Sequence, residues 1–223
     1  MRIVISAGPT VEDIDAVRFI SNRSSGRMGY ALASGAVERG WRTVLVSGPV
    51  ELEPPAGLEE FVPVRSAAEM EQALLERFSA AGALVMAAAV ADFRPARKEA
   101  GKIRRRGRLL LKLVPTVDIL AELGRRKGNQ VLVGFALEPG GTDDPAARAE
   151  ALEKARRKRL DAIVLNGPEN IGSDRGGIVV LAPDGRLLAR AEGGKDALAR
   201  AVLDVVGGLA DERRRHPQET SGG

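Results

Sequence analysis

Short apolar, β-branched runs alternate along this chain with longer stretches of helical periodicity, and that alternation leaves few folds open. "RIVISAG" (2–8) reads as a buried strand ending in Gly-Pro-Thr, a polar loop follows to about Ser24, and a helix over 26–39 closes at Gly40. "RTVLVSGPV" and "FVPV" (61–64) are further strands, and the next helix opens with a capping box, Ser66 at its N-cap and Glu69 in its first turn. "ALVMAAAV" is apolar on both faces, as a central parallel strand is. "LLLKLV", a helix over Val117–Lys127, the strand "QVLVGFAL", a helix in "DPAARAEALEKARRKRL" with Pro145 in its first turn, and the strand "DAIVLN" continue the pattern. "GIVVLAPDGRLLAR" reads as a hairpin about Asp184-Gly185, and a last helix covers 194–206. The expectation is one α/β domain over 1–209, a Rossmann-like, mainly parallel sheet flanked by helices with an antiparallel hairpin at one edge. A polar, disordered tail over 210–223 would follow.

Composition removes several chemistries. There is no cysteine, and the one histidine, His216, lies in the polar tail. Thiol nucleophiles, thiolate metal sites and His-based acid/base or zinc chemistry are therefore left without residues, and catalysis falls to Lys, Arg, Asp, Glu, Asn, Ser and backbone amides. A net charge of +4 suits nucleic acid or a small polyanion such as a nucleoside triphosphate, but only 3% of residues are aromatic, which leaves little for stacking on bases. No apolar run reaches the ~20 residues of a membrane span. Met1 leads directly into a strand, so a cytoplasmic protein that contacts neither membrane nor nucleic acid is expected.

Ligands of such sheets bind at the carboxyl ends of the strands, here Gly8–Thr10, Ser47–Pro49, Ala88–Asp92, Phe135–Glu138 and Asn166. Between the first strand and its helix stands Ser24-Ser25-Gly26-Arg27-Met28-Gly29, a GxGxxG fingerprint with Ser in place of the first Gly. Bare amides at a helix start suit phosphate, although an ordinary capped helix packed on the sheet would read the same way. The fingerprint sits late in a long loop, and the second strand ends in "VSGP" without the acid that binds a ribose hydroxyl, so a nicotinamide dinucleotide fits less well than a nucleotide phosphate. "AAAVADFRP" places Asp92 and Arg94 after a small-residue run with room for a base or ribose, or else supplies a cap and a solvated Arg. "GKIRRRGR" is either a flap over a polyanion or a solvated edge. Lysines are scarce, seven beside 27 arginines, so Lys102, Lys154 and Lys158 stand out as compact phosphate-binding charges. Asn22 and Asn166 each sit where an amide could hold a carboxylate or acyl oxygen, or simply make a turn. An NAD(P)-dependent oxidoreductase and a nucleic-acid-binding module remain the competing readings.

"ISAGPTVEDIDAVRFISNRSSGRMGYALA", "LVSGPV", "SAAEMEQA", "AAAVADFRP", "GKIRR", "DILAEL", "VGFALE" and "LDAIVLN", in this order over about 2–206, resemble phosphopantothenoylcysteine synthetase. That family joins 4'-phosphopantothenate to L-cysteine with CTP through an acyl-cytidylate, releasing pyrophosphate and then CMP. In many bacteria it is fused behind a flavin-dependent decarboxylase; the resemblance here covers the synthetase alone, which implies a stand-alone enzyme with a separate decarboxylase partner in the pathway. By motif, Asn22 takes the acyl intermediate and Lys102 acts on the intermediate and its phosphate. The amides of Ser24, Ser25 and Gly26 lie at the phosphates, and Met86, Ala87, Ala88, Asp92, Val117, Asp118, Ile119, Leu120, Phe135, Lys154 and Lys158 contact CTP. Magnesium would accompany the triphosphate on ligands the sequence does not identify, and a homodimer is implied. The family's KxKK is here Lys102-Ile103-Arg104-Arg105, its Asn-Pro-Asp is Thr116-Val117-Asp118, and its Ala-Asn-Asp is Leu165-Asn166-Gly167. The last two changes bear on recognition of the base, so CTP over ATP follows from the resemblance alone.

Overall fold

The computed structural model describes residues 1–215 apart from 106 and 171, and at 169 the backbone only. The strands are β1 (Arg2–Ala7), β2 (Val11–Asp13), β3 (Phe19–Ser21), β4 (Arg42–Ser47), β5 (Glu60–Pro63), β6 (Ala83–Met86), β7 (Phe93–Pro95), β8 (Leu113–Pro115), β9 (Val131–Leu137), β10 (Ala162–Asn166), β11 (Arg175–Leu181) and β12 (Leu187–Gly194). The α-helices are α1 (Arg27–Glu38), α2 (Ala67–Phe78), α3 (Ile119–Arg126), α4 (Pro145–Arg157) and α5 (Lys195–Arg215).

Eight strands form one sheet in the order β12-β11-β10-β9-β6-β1-β4-β5. The strands from β10 to β5 pair in parallel, and β11 and β12 add the expected antiparallel hairpin at one edge. Side chains of β1 alternate between two cores. Ile3, Ile5 and Ala7 pack with α1 and α5, while Val4 packs with α2, α3 and α4 on the other face. Helix α4 reaches the sheet through Ala147, Ala151 and Ala155, spaced one turn apart, so a helix that is otherwise largely charged lies close against it.

The chain leaves β1 for β4 on one side and later returns to β6 on the other, which makes the carboxyl ends of β1 and β6 the switch point where a crevice opens. Its floor is fixed by polar groups. Ser6 and Thr10 accept from the amides of Ala88 and Ala91 at 3.1 and 2.9 Å, and the Thr116 hydroxyl donates to the Ala91 carbonyl at 2.6 Å. These bonds replace the ladder and carry residues 87–92 out of the sheet, so "ALVMAAAV" is a strand only over Ala83–Met86, with a single further bridge between Pro9 and Ala89.

Two other expectations are corrected. "LLLKLV" is not a strand of the main sheet: only Leu113–Pro115 is extended, and it pairs with β7 in a separate two-stranded ribbon. Its apolar run faces outward, with Leu110 93% exposed, so periodicity alone misassigned a surface segment to the core. The last helix continues to Arg215 with Ala210 buried, because its apolar stripe extends beyond the point where the sequence turns polar, so the expected tail begins no earlier than 216. His216 lies outside the described residues. The Ser66 cap forms as expected, accepting from the Glu69 amide at 3.2 Å, but Glu69 reaches back to the amide of Arg65, at 2.7 Å, rather than to that of Ser66. Among the described residues no helix is long and apolar enough to cross a membrane.

Candidate active site

Two clefts meet at the switch point. The larger, about 550 Å³, runs between the Asn22–Gly29 segment, residues 87–92, the ends of β9 and β10, and the start of α5. The smaller, about 240 Å³, is lined by Met86, Thr116–Leu120 and Lys158. Ala88, Val90, Asp92 and Phe135 line both, so a ligand could lie across the two with its middle over Asp92.

The Asn22–Gly26 segment is held at each end. Ser21 donates to the Thr10 carbonyl at 2.9 Å, and the Asn22 amide nitrogen donates to the carbonyls of Ala89 and Val90 at 3.1 and 3.0 Å. Asn22 therefore ties the loop after β3 to the loop after β6, with its side-chain oxygen left to accept. Gly26 precedes α1 with φ 75°, a left-handed conformation that lets the chain turn into the helix. No side chain caps α1, and its first-turn residues Arg27, Met28 and Gly29 line a cleft that also carries Arg23 and Lys195. The setting is cationic and rich in N–H donors, which suits phosphate.

Of the residues singled out in the sequence, Asn22, Ser24, Ser25, Gly26 and Ala87 line the larger cleft. Met86, Val117, Asp118, Ile119, Leu120 and Lys158 line the smaller, and Ala88, Asp92 and Phe135 line both. Lys158 is paired with Asp118 at 2.9 Å across that cleft. Two residues are not brought there. Lys154 pairs with the buried Glu138 at 2.6 Å and with Glu150 at 3.0 Å. Burial alone would lower its ammonium pKa, but the two carboxylates outweigh this and hold it above the usual lysine range. Lys102 is exposed and lines neither cleft.

The segment that bears Lys102 is nevertheless anchored, to the turn between β2 and β3. The buried Asp15 carboxylate accepts from the amides of Val17 and Arg18 at 2.8 Å each and from that of Ile103 at 3.0 Å, while Arg18 donates to the Ile103 carbonyl at 2.9 Å. Burial would raise the Asp15 pKa, yet these donors bring it below the usual carboxylate range. Asp13 is held lower, at about 2, by its bonds to Arg65 and Lys98. The basic loop is thus fastened through Lys98 to Asp13 at the end of β2 and through Ile103 to Asp15 in the turn before β3.

Arg23, Asn170, Ile178 and Lys195 also line the larger cleft although no motif singles them out as site residues, whereas Arg27 lies within the fingerprint and Leu137 at a candidate strand end. The scarcity of lysine was the one signal that could have drawn notice to Lys195. Gly48 at the end of β4 packs tightly, since a Cβ there would fall 1.7 Å from the Pro9 carbonyl oxygen.

The model of the DNA/pantothenate metabolism flavoprotein C-terminal domain matches residues 1–209. The coenzyme A biosynthesis bifunctional protein CoaBC of Bacillus subtilis (strain 168) is 45% identical over 188 residues, 82% of this chain and 45% of that protein. A cysteine/cysteine sulfinic acid decarboxylase from an unknown prokaryotic organism is 50% identical over 177 residues, 78% of this chain and 48% of that protein. The chain therefore spans about half the length of these curated relatives. The crystal structure of the C-terminal domain of a CoaBC protein superposes with a TM-score of 0.79 at 34% identity, covering 95% of this chain and 96% of that one.

Proposed function

The chain belongs to the DNA/pantothenate metabolism flavoprotein C-terminal domain family, and on that footing we propose that it is a phosphopantothenoylcysteine synthetase, joining 4'-phosphopantothenate to L-cysteine at the expense of CTP. The observation that carries this reading is the meeting of the two clefts over Asp92 and Phe135. The smaller offers the size and polarity for a base and ribose. The larger brings helix amides and cations, which suit phosphates, against Asn22, which suits an acyl group.

In the proposed reaction a carboxylate oxygen of phosphopantothenate bonds to the α-phosphorus of CTP while the bond to the β-phosphate breaks, releasing pyrophosphate. The amine nitrogen of cysteine then bonds to the acyl carbon and gives up a proton, and CMP departs. Both steps need charge neutralisation and alignment rather than a nucleophilic side chain, in keeping with a chain that has no cysteine. The amides at the start of α1 would stabilise the α-phosphate, Asn22 would orient the acyl group, and Lys102 would approach on its anchored loop. Among the described residues Asp92 is the one carboxylate lining both clefts, and no group of three acidic or histidine side chains suited to a metal is found. Asp92 would be the protein group to hold a magnesium ion accompanying the triphosphate, and the ion would supply charge neutralisation there. Incubation with 4'-phosphopantothenate, cysteine and magnesium should yield pyrophosphate and a nucleoside monophosphate in step with product, CMP from CTP or AMP from ATP, with CTP preferred. Absence of nucleoside monophosphate with either nucleotide would refute the reading.

A homodimer is part of the same proposal. Val17, Phe19, Phe93, Leu109, Leu110 and Leu113 are exposed on or beside the β2–β3 and β7–β8 ribbons, and apolar side chains of this kind suit a subunit interface. Sedimentation should give a mass near twice 23.6 kDa; a monomer at micromolar concentration would count against it.

A further inference from the structure

Lys195 is the first residue of the 21-residue helix α5, and its side chain lines the larger cleft. Three features make this a costly place for a positive charge. The amino end of a helix is its positive end. The side chain is partly buried, and burial, with a smaller contribution from the nearby Arg27, pulls the ammonium pKa below the usual lysine range against the opposing pull of Asp174. Among the described residues no carboxylate lies within ion-pair distance of it, whereas Lys98, Lys127, Lys154 and Lys158 each have one.

What Lys195 does have is a fixed position. Its ammonium donates to the carbonyl of Asn170 at 3.2 Å. Asn170 is itself clamped to β11, its side chain donating to the Gly177 carbonyl at 2.8 Å and accepting from the Gly177 amide at 3.1 Å. Arg27, on the opposite wall, is held by an ion pair with Asp174. A partly buried ammonium with one neutral acceptor among the described residues has donors to spare, and an incoming anion would relieve both the helix-end and the Arg27 repulsion.

We propose that Lys195 is a phosphate-binding residue of the larger cleft, gripping a phosphoryl group opposite the amino end of α1. The proposal rests on the synthetase reading for the identity of its ligand, which brings phosphate from two sources, the β and γ groups of the nucleotide and the 4'-phosphate of the acyl substrate. The geometry of Lys195 serves either.

Calorimetric titration of the wild-type protein and of Lys195→Gln with inorganic pyrophosphate, CTP, CMP and 4'-phosphopantothenate tests it without requiring turnover. The variant should lose about 10- to 100-fold in affinity for phosphate ligands, the worth of one charge-assisted hydrogen bond, and Lys195→Arg should recover most of it. Loss for pyrophosphate and CTP with CMP unchanged assigns the nucleotide phosphates, and loss confined to phosphopantothenate assigns the acyl substrate. Unchanged affinity for all four overturns the proposal, even if the protein proves to be a ligase. Lys195-dependent binding of pyrophosphate would uphold it even if ligation failed. The melting temperature of Lys195→Gln without ligand should equal or exceed that of the wild type, since an unfavourable charge is removed. A marked fall would identify a structural lysine and also overturn the proposal.

Discussion

Asn22→Asp is expected to lower kcat by about 100-fold or more while the protein remains folded. Its amide nitrogen holds two carbonyl oxygens, of Ala89 and Val90, within 3.1 Å. A carboxylate in the same place has no hydrogen to offer and sets negative charge against both oxygens, so the loop after β3 loses its tie to the loop after β6. The new charge would also face the carboxylate and phosphates that the site is proposed to bring together. Because Asn22 is exposed, the two lost bonds cost only about 1–2 kcal/mol, a fall of roughly 2–8 °C in a domain of this size. Steady-state turnover beside a thermal melt separates the two effects. Wild-type turnover by the variant would remove Asn22 from the mechanism, and gross unfolding would make it a structural residue.

Gly29→Val should produce a large loss of stability, about 3 kcal/mol or more, seen as a melting point lower by roughly 6–12 °C. Gly29 is where α1 rests on β1. A Cβ at that position would lie 2.4 Å from the Cβ of Ala7 and 2.9 Å from its Cα, and the atoms it meets belong to a central strand that cannot yield. The helix would have to lift, carrying its first-turn amides away from the cleft, so nucleotide binding should fall with stability. Gly208, within α5, is the control: a Cβ there meets nothing within 4 Å, and Gly208→Ala should stabilise by about 0.5–1 kcal/mol. Equal melting points for Gly29→Val and the wild type would contradict the packing described here.

Much of the fold is legible along the chain because it depends on short-range rules. β1, β4, β9 and β10 are apolar runs of strand length, the Ser66 cap and Pro145 mark helix starts, and Asp184-Gly185 marks the hairpin. The misreadings share one cause. "LLLKLV" and the second half of "ALVMAAAV" are apolar enough for strands, but one lies on a surface ribbon and the other is pulled from the sheet by Ser6, Thr10, Asn22 and Thr116. Those partners lie far off in sequence, and no local window contains them.

The candidate site divides the same way. The sequence by itself determined the α/β class and the strand ends that could hold a ligand. It also marked the loop of small residues and bare amides before α1, since turn chemistry and periodicity are properties of neighbouring residues. Only the tertiary structure decided that the ends of β1 and β6 lie side by side, so that Asn22 bonds to Ala89 and Val90 and two clefts merge over Asp92. It also decided which lysines remain available. Lys154, singled out by spacing, is neutralised by Glu138, while Lys195, with no motif around it, stands in the cleft without a carboxylate partner among the described residues. A charge acts on a ligand only where the fold leaves it unpaired, and pairing is set by which distant segments the crossover order of the sheet brings into contact.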